Sequence, residues 1–134
     1  MPGGPDAFER VNATQVRYAP MSRINPTGAV VPATMAAATR SALEALDGRV
    51  GDVDAWVCGR QGWVLDDLGA CLTSEQVDGV ALALDAADRR EGIIVADQTG
   101  FGKGRLLAAV ARAAVRSGRP VIFLTEKENL FSDF

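Results

Sequence analysis

The stretch that most constrains this chain is Gly92-Ile93-Ile94-Val95-Ala96-Asp97-Gln98-Thr99-Gly100-Phe101-Gly102-Lys103-Gly104-Arg105. It opens with four residues suited to a buried parallel strand, Ile93 to Ala96. A turn containing Gly100 and Gly102 follows, and a helix is predicted to begin near Lys103. Strand, glycine turn and lysine at a helix start are the parts of a phosphate cradle. Glycines let the backbone fold close around an anion, so that several N–H groups point inward. The positive end of the helix dipole and the lysine ammonium supply charge. Against the phosphate-loop pattern G-x-x-x-x-G-K-[ST], the match is Gly102-Lys103, with Thr99 and Gly100 inside the loop. Two positions depart from it. Asp97 stands where Gly or Ala is usual, and Gly104 replaces the Ser or Thr that would hold magnesium.

After the loop, Leu106, Leu107, Val110, Ala114 and Val115 form one stripe of a helix running from Lys103 to Ser117, with Arg105, Arg112 and Arg116 on the other side. Gly118 and Pro120 close that helix, and Val121-Ile122-Phe123-Leu124 reads as a second apolar strand. Strand, helix and strand with a short return predict a parallel βαβ unit with a right-handed crossover.

Upstream, Met1 to Pro5 and then Pro20, Pro26 and Pro32 mark an extended arm over residues 1–32, with a short extended segment at Val16 to Pro20. So long a connection either wraps a surface or is partly disordered, and Tyr18 can anchor it by burying its ring. Residues 33–91 read as helical. A first helix spans Ala33 to Leu46 with Gly48 as its stop, Met35, Ala42, Leu43 and Leu46 on one face, and an Arg40–Glu44 pair. Two short helical pieces follow between Asp52 and Gly69, carrying Trp56 and Trp63 as core side chains rather than a base-stacking platform. Thr73-Ser74-Glu75-Gln76 then starts a strong helix that fades at Asp88-Arg89-Arg90-Glu91. Gln76 has two readings, as the capping-box residue that reaches back to Thr73, or as an amide contacting an adenine edge.

Composition narrows the function classes. The 134 residues carry a net charge of −3, so no basic field announces nucleic acid. Histidine is absent, which removes the commonest general base and metal ligand. Cys58 and Cys71 lack metal-site spacing and read as thiols in a reducing cytoplasm. No apolar run has the length of a membrane span.

These residues together carry a resemblance. Gln76 on its helix, Asp97 to Arg105, and Phe123-Leu124-Thr125-Glu126-Lys127-Glu128-Asn129-Leu130-Phe131-Ser132-Asp133 resemble the strawberry notch family of superfamily-two helicase-like ATPases, which includes many phage and plasmid proteins. Tyr18-Ala19-Pro20-Met21-Ser22, Val31-Pro32 and Val53-Asp54-Ala55-Trp56-Val57 extend the likeness over about residues 16 to 134. Gly104 fits the pattern of that family. The resemblance implies an α/β fold, a helical N-terminal segment followed over residues 92–134 by the first βαβ unit of a RecA-like P-loop NTPase sheet, truncated.

It also implies ATP with Mg2+ as ligand. Gln76 would lie on the adenine, Thr99 to Gly104 would wrap the phosphates, Lys103 would hold the β- and γ-phosphates, and Asp97, Gln98, Phe101 and Arg105 would complete the cradle. Walker B carboxylates, a coupling motif and arginine fingers have no counterpart here, so no residue is assigned to catalysis or to a metal. The expectation is the ATP-binding front of a larger enzyme that acts on DNA or RNA, with its remaining ATPase lobes missing. Glu126 and Glu128 read as solvated charges. The alternatives are a small P-loop kinase and a non-catalytic nucleotide-binding or interaction module.

Overall fold

The computed structural model describes residues 14–96 and 102–126, and five helices account for 58% of them. A two-stranded antiparallel ribbon, β1 (Gln15–Arg17) and β2 (Val30–Pro32), pairs Val16 with Val31. Then come α1 (Ala33–Val50), α2 (Val53–Gln61), α3 (Leu65–Cys71), α4 (Ser74–Asp88) and α5 (Lys103–Arg116). Helix α4 is the axis of the core. Its Val77, Val80, Ala81 and Leu84 meet Leu46 of α1, Val57 of α2, and Leu106, Ala109 and Ala113 of α5.

The parallel βαβ unit of a RecA-like P-loop sheet is not formed, so the expected α/β class is corrected to a mainly helical fold. Residues 93–96 and 121–124 have no strand structure and no sheet partner among the described residues. Ile94, Ile122 and Leu124 are 90%, 81% and 88% exposed. A parallel strand needs cover on both faces and a bonded neighbour along at least one edge. A two-stranded sheet has too little cover to stand by itself, and the available helix is committed elsewhere. Helix α5 was expected to bury Leu106, Leu107, Val110, Ala114 and Val115. It turns its Leu106, Ala109 and Ala113 side onto α4 and α2 instead, and leaves Leu107 and Val115 exposed. Alanines and Gly79 decide that rotation, because they let the helices approach closely. A Cβ at Gly79 would run into the Leu106 side chain.

Smaller boundaries also move. Helix α1 runs through Gly48 and ends at Gly51, whose φ of 88° and N–H bond to Asp47 O (2.7 Å) stop it. Met35 is half exposed, while Leu43 and Leu46 are buried and Arg40 pairs with Glu44 at 2.8 Å. The two short pieces between Asp52 and Gly69 are α2 and α3. Asp52 caps α2 by accepting from Ala55 N at 2.9 Å.

The arm wraps. Between β1 and β2 the chain lies along α4 and α2, held by two buried carboxylates that the sequence reading did not single out. Asp78 accepts from the Tyr18 hydroxyl (2.7 Å), Met21 N (2.9 Å) and Ser22 N (2.9 Å). Asp54 accepts from Ser22 Oγ (2.5 Å) and Arg23 N (2.9 Å). Ser74 Oγ donates to Ile24 O, and Thr27 N donates to Glu75 at 2.9 Å. Burial pushes the Asp78 carboxyl above its ordinary range, opposed by the Tyr18, Ser22 and Met21 donors. Two carboxylates that present several acceptor sites to consecutive backbone N–H groups explain how a proline-rich segment is fixed without regular structure. Met1 to Pro5 lies outside the described residues.

Candidate phosphate site at the start of helix α5

Helix α5 starts where the sequence places it, at Lys103, and its N-cap is Gly102. Gly102 takes φ 75°, ψ 31°, the left-handed region that glycine enters without steric cost. A second constraint acts at the same residue, since a Cβ there would collide with the Gln76 amide. Gly102 has no side chain with which to cap the helix, and the first turn carries no acidic residue. The positive end of the α5 dipole therefore meets no carboxylate of its own first turn, and Lys103 adds a positive charge at the first helical position.

Gln76 connects this point to the core. Its Oε1 accepts from Thr73 N (3.0 Å) and its backbone N–H donates to Thr73 Oγ1 (3.3 Å), a complete capping box on α4. Its Nε2 donates to Gly102 O at 3.1 Å. One buried amide thus fixes the start of α4 and the turn before α5 together. The capping reading of Gln76 holds, and the second half of the amide goes to the loop. Gly102 O also accepts from Leu106 N at 3.3 Å, so the turn is tied both to the helix it opens and to α4.

Of the other expected cradle residues, Lys103 is half-buried at the first helical position and Gly104 is exposed with open space around it. Arg105 reaches the end of α3, with Nη1 donating to Cys71 O at 3.4 Å, at the edge of hydrogen-bond range. Asp97, Gln98, Thr99, Gly100 and Phe101 lie outside the described residues, as do Glu128 and the segment after Glu126. Among the described residues no three His, Cys, Asp or Glu side chains gather closely enough to hold a metal ion. Cys58 and Cys71 are free thiols, and burial pushes the Cys58 thiol above its ordinary range. No helix of the described residues is long and apolar enough to cross a membrane.

Comparison of the chain with protein families, curated proteins and solved structures returns no match.

Proposed function

We propose that this chain binds a nucleoside triphosphate, ATP in preference to GTP, with the phosphates at the start of α5 and the loop 97–105 around them. The observation that carries the reading is the start of α5 behind a left-handed Gly102, with Lys103 at the first helical position and no acidic residue in the first turn. Backbone N–H groups, a helix dipole and an ammonium are the three things a phosphate needs, and a helix that opens on Gly102-Lys103 can offer each of them. Rigidity supports it as well, because the Gln76 amide holds the Gly102 carbonyl and so fixes the residue at which the helix begins. The likeness of Asp97 to Arg105 and of the residues after Phe123 to the strawberry notch family gives the class of parent activity, an ATPase acting on DNA or RNA. Magnesium would arrive with the nucleotide and be held by phosphate oxygens and water, since Gly104 offers it no side-chain oxygen. Free thiols and the absence of a spanning helix among the described residues fit a cytoplasmic setting.

Lys103→Ala tests the cradle. One charge-assisted contact to phosphate is worth about 1.5–3 kcal/mol, so affinity for a fluorescent ATP analogue should fall roughly ten- to a hundredfold. Equal affinities would remove the assignment. Gln76→Ala tests base choice separately. Loss of the cap should cost about 1 kcal/mol of stability in any case. If Gln76 also contacts adenine, the preference for ATP over GTP disappears with it; an unchanged ratio leaves Gln76 as a positioning residue for the turn alone.

A further inference from the structure

A cleft of about 370 Å³ opens along α5 from its first turn to Arg112, between Trp63, the end of α3 and the α5 surface. Its floor is apolar, formed by Ala70, Leu72, Ala108 and Ala109, and two guanidiniums, Arg105 and Arg112, stand on its rim. Arg112 is held in place, with Nε donating to Gln61 O at 3.1 Å and its guanidinium 5.5 Å from the Trp63 ring centre. No carboxylate pairs with either arginine among the described residues. At the start of α3, Asp67 is engaged in its own helix cap, accepting from Val64 N at 3.2 Å. In a chain of net charge −3, α5 carries one lysine and three arginines and no acid.

We propose that this cleft docks an amphipathic acidic helix of a protein partner. Arg105 and Arg112 are seven residues apart, two turns or about 10.5 Å along the axis. Two carboxylates placed two turns apart on a helix lying alongside α5 have the same spacing. The side chains between them, one turn along, fall over Ala108 and Ala109. Val64 and Leu65, 66% and 57% exposed, continue the apolar surface beyond Trp63. A nucleic-acid strand fits this cleft less well. Stacking needs an open ring face, and Trp63 packs against the core and carries Arg112 over its ring.

The test uses the full chain and a fluorescein-labelled helical peptide with two glutamates two turns apart and leucine and phenylalanine between them. Anisotropy should report saturable binding, at least about tenfold tighter than for the same peptide with lysines in place of the glutamates. Arg105→Glu with Arg112→Glu should reverse that preference, and Arg112→Lys should keep it. Circular dichroism checks that the reversed variant folds; if it does not, Arg105→Gln with Arg112→Gln replaces it and should abolish the preference. No binding of the acidic peptide overturns the proposal. So does an equal response of both peptides, or oligo(dT) binding with the same arginine dependence while the acidic peptide stays unbound. Nucleotide affinity is read in Arg112→Glu alone, where it should not change, so failure of the cleft and failure of the phosphate site are told apart.

Discussion

Tyr18 is the only tyrosine in the chain, and its hydroxyl donates to a buried carboxylate on α4. Burial raises its pKa well above the ordinary tyrosine value, and the charge of Asp78 adds to the effect. A group whose pKa is raised on folding lends stability that is fully present below its unfolded pKa and lost as pH climbs toward the folded one. For Tyr18 the loss should begin near pH 10, the value of a free phenol. Alkali should therefore release the arm from α4. Phenolate absorbance follows this one residue without interference. We expect no phenolate until the fold opens, and titration moved back toward pH 10 in Asp78→Asn. A native protein whose tyrosine titrates near pH 10 contradicts the clasp. The same residue shows why the clasp was hard to read. Aspartates at 54 and 78 look like surface charges in a linear sequence, and their partners are backbone N–H groups far away in the chain. Nothing in side-chain pattern announces a backbone donor.

At the scale of elements, the helices were legible and the strands were not. Thr73 and Gln76 identify a helix start because a capping box is local chemistry, and both of its bonds are formed. Lys103 marks the start of α5 for the same kind of reason. Short apolar runs such as Ile93 to Ala96 carry no such local signal. An apolar strand and an apolar coil have the same composition, and only a bonded neighbour separates them. The end of α4 offers a test of local chemistry taken alone. Arg90 N donates to Ala87 O (3.0 Å) and Glu91 N to Ala86 O (2.8 Å), the paired bonds of a Schellman motif, with Arg90 itself at φ 59°. A residue with a Cβ pays strain in that conformation. Arg90→Gly should accordingly stabilise the protein by about 1 kcal/mol, reduced somewhat by the greater freedom of glycine in the unfolded chain. Urea denaturation measures it, and a lower midpoint at unchanged slope would show that the Arg90 side chain contributes more than its strain.

Over the whole molecule, apolar surface is unevenly placed. The core around α4 is closed, yet Ile94, Ile122 and Leu124 are almost wholly exposed, and Leu107 and Val115 leave part of α5 bare. Scattered exposed aliphatics need no explanation, but two apolar runs that lie outside any sheet of the described residues and expose Ile94, Ile122 and Leu124 are a template for association. The protein should self-associate as its concentration rises, and more strongly at high salt, where charge repulsion is screened. Ile94→Lys together with Ile122→Lys should reduce that association. Because neither side chain is buried, the pair should change stability by no more than about 0.5 kcal/mol each. Sedimentation velocity over a concentration series gives the first quantity and thermal denaturation of dilute protein the second. Reduced association at unchanged melting temperature would separate the folded core from the surface that makes the molecule adhere to itself. A large fall in melting temperature would mean that these isoleucines are packed, and would contradict their place on the surface.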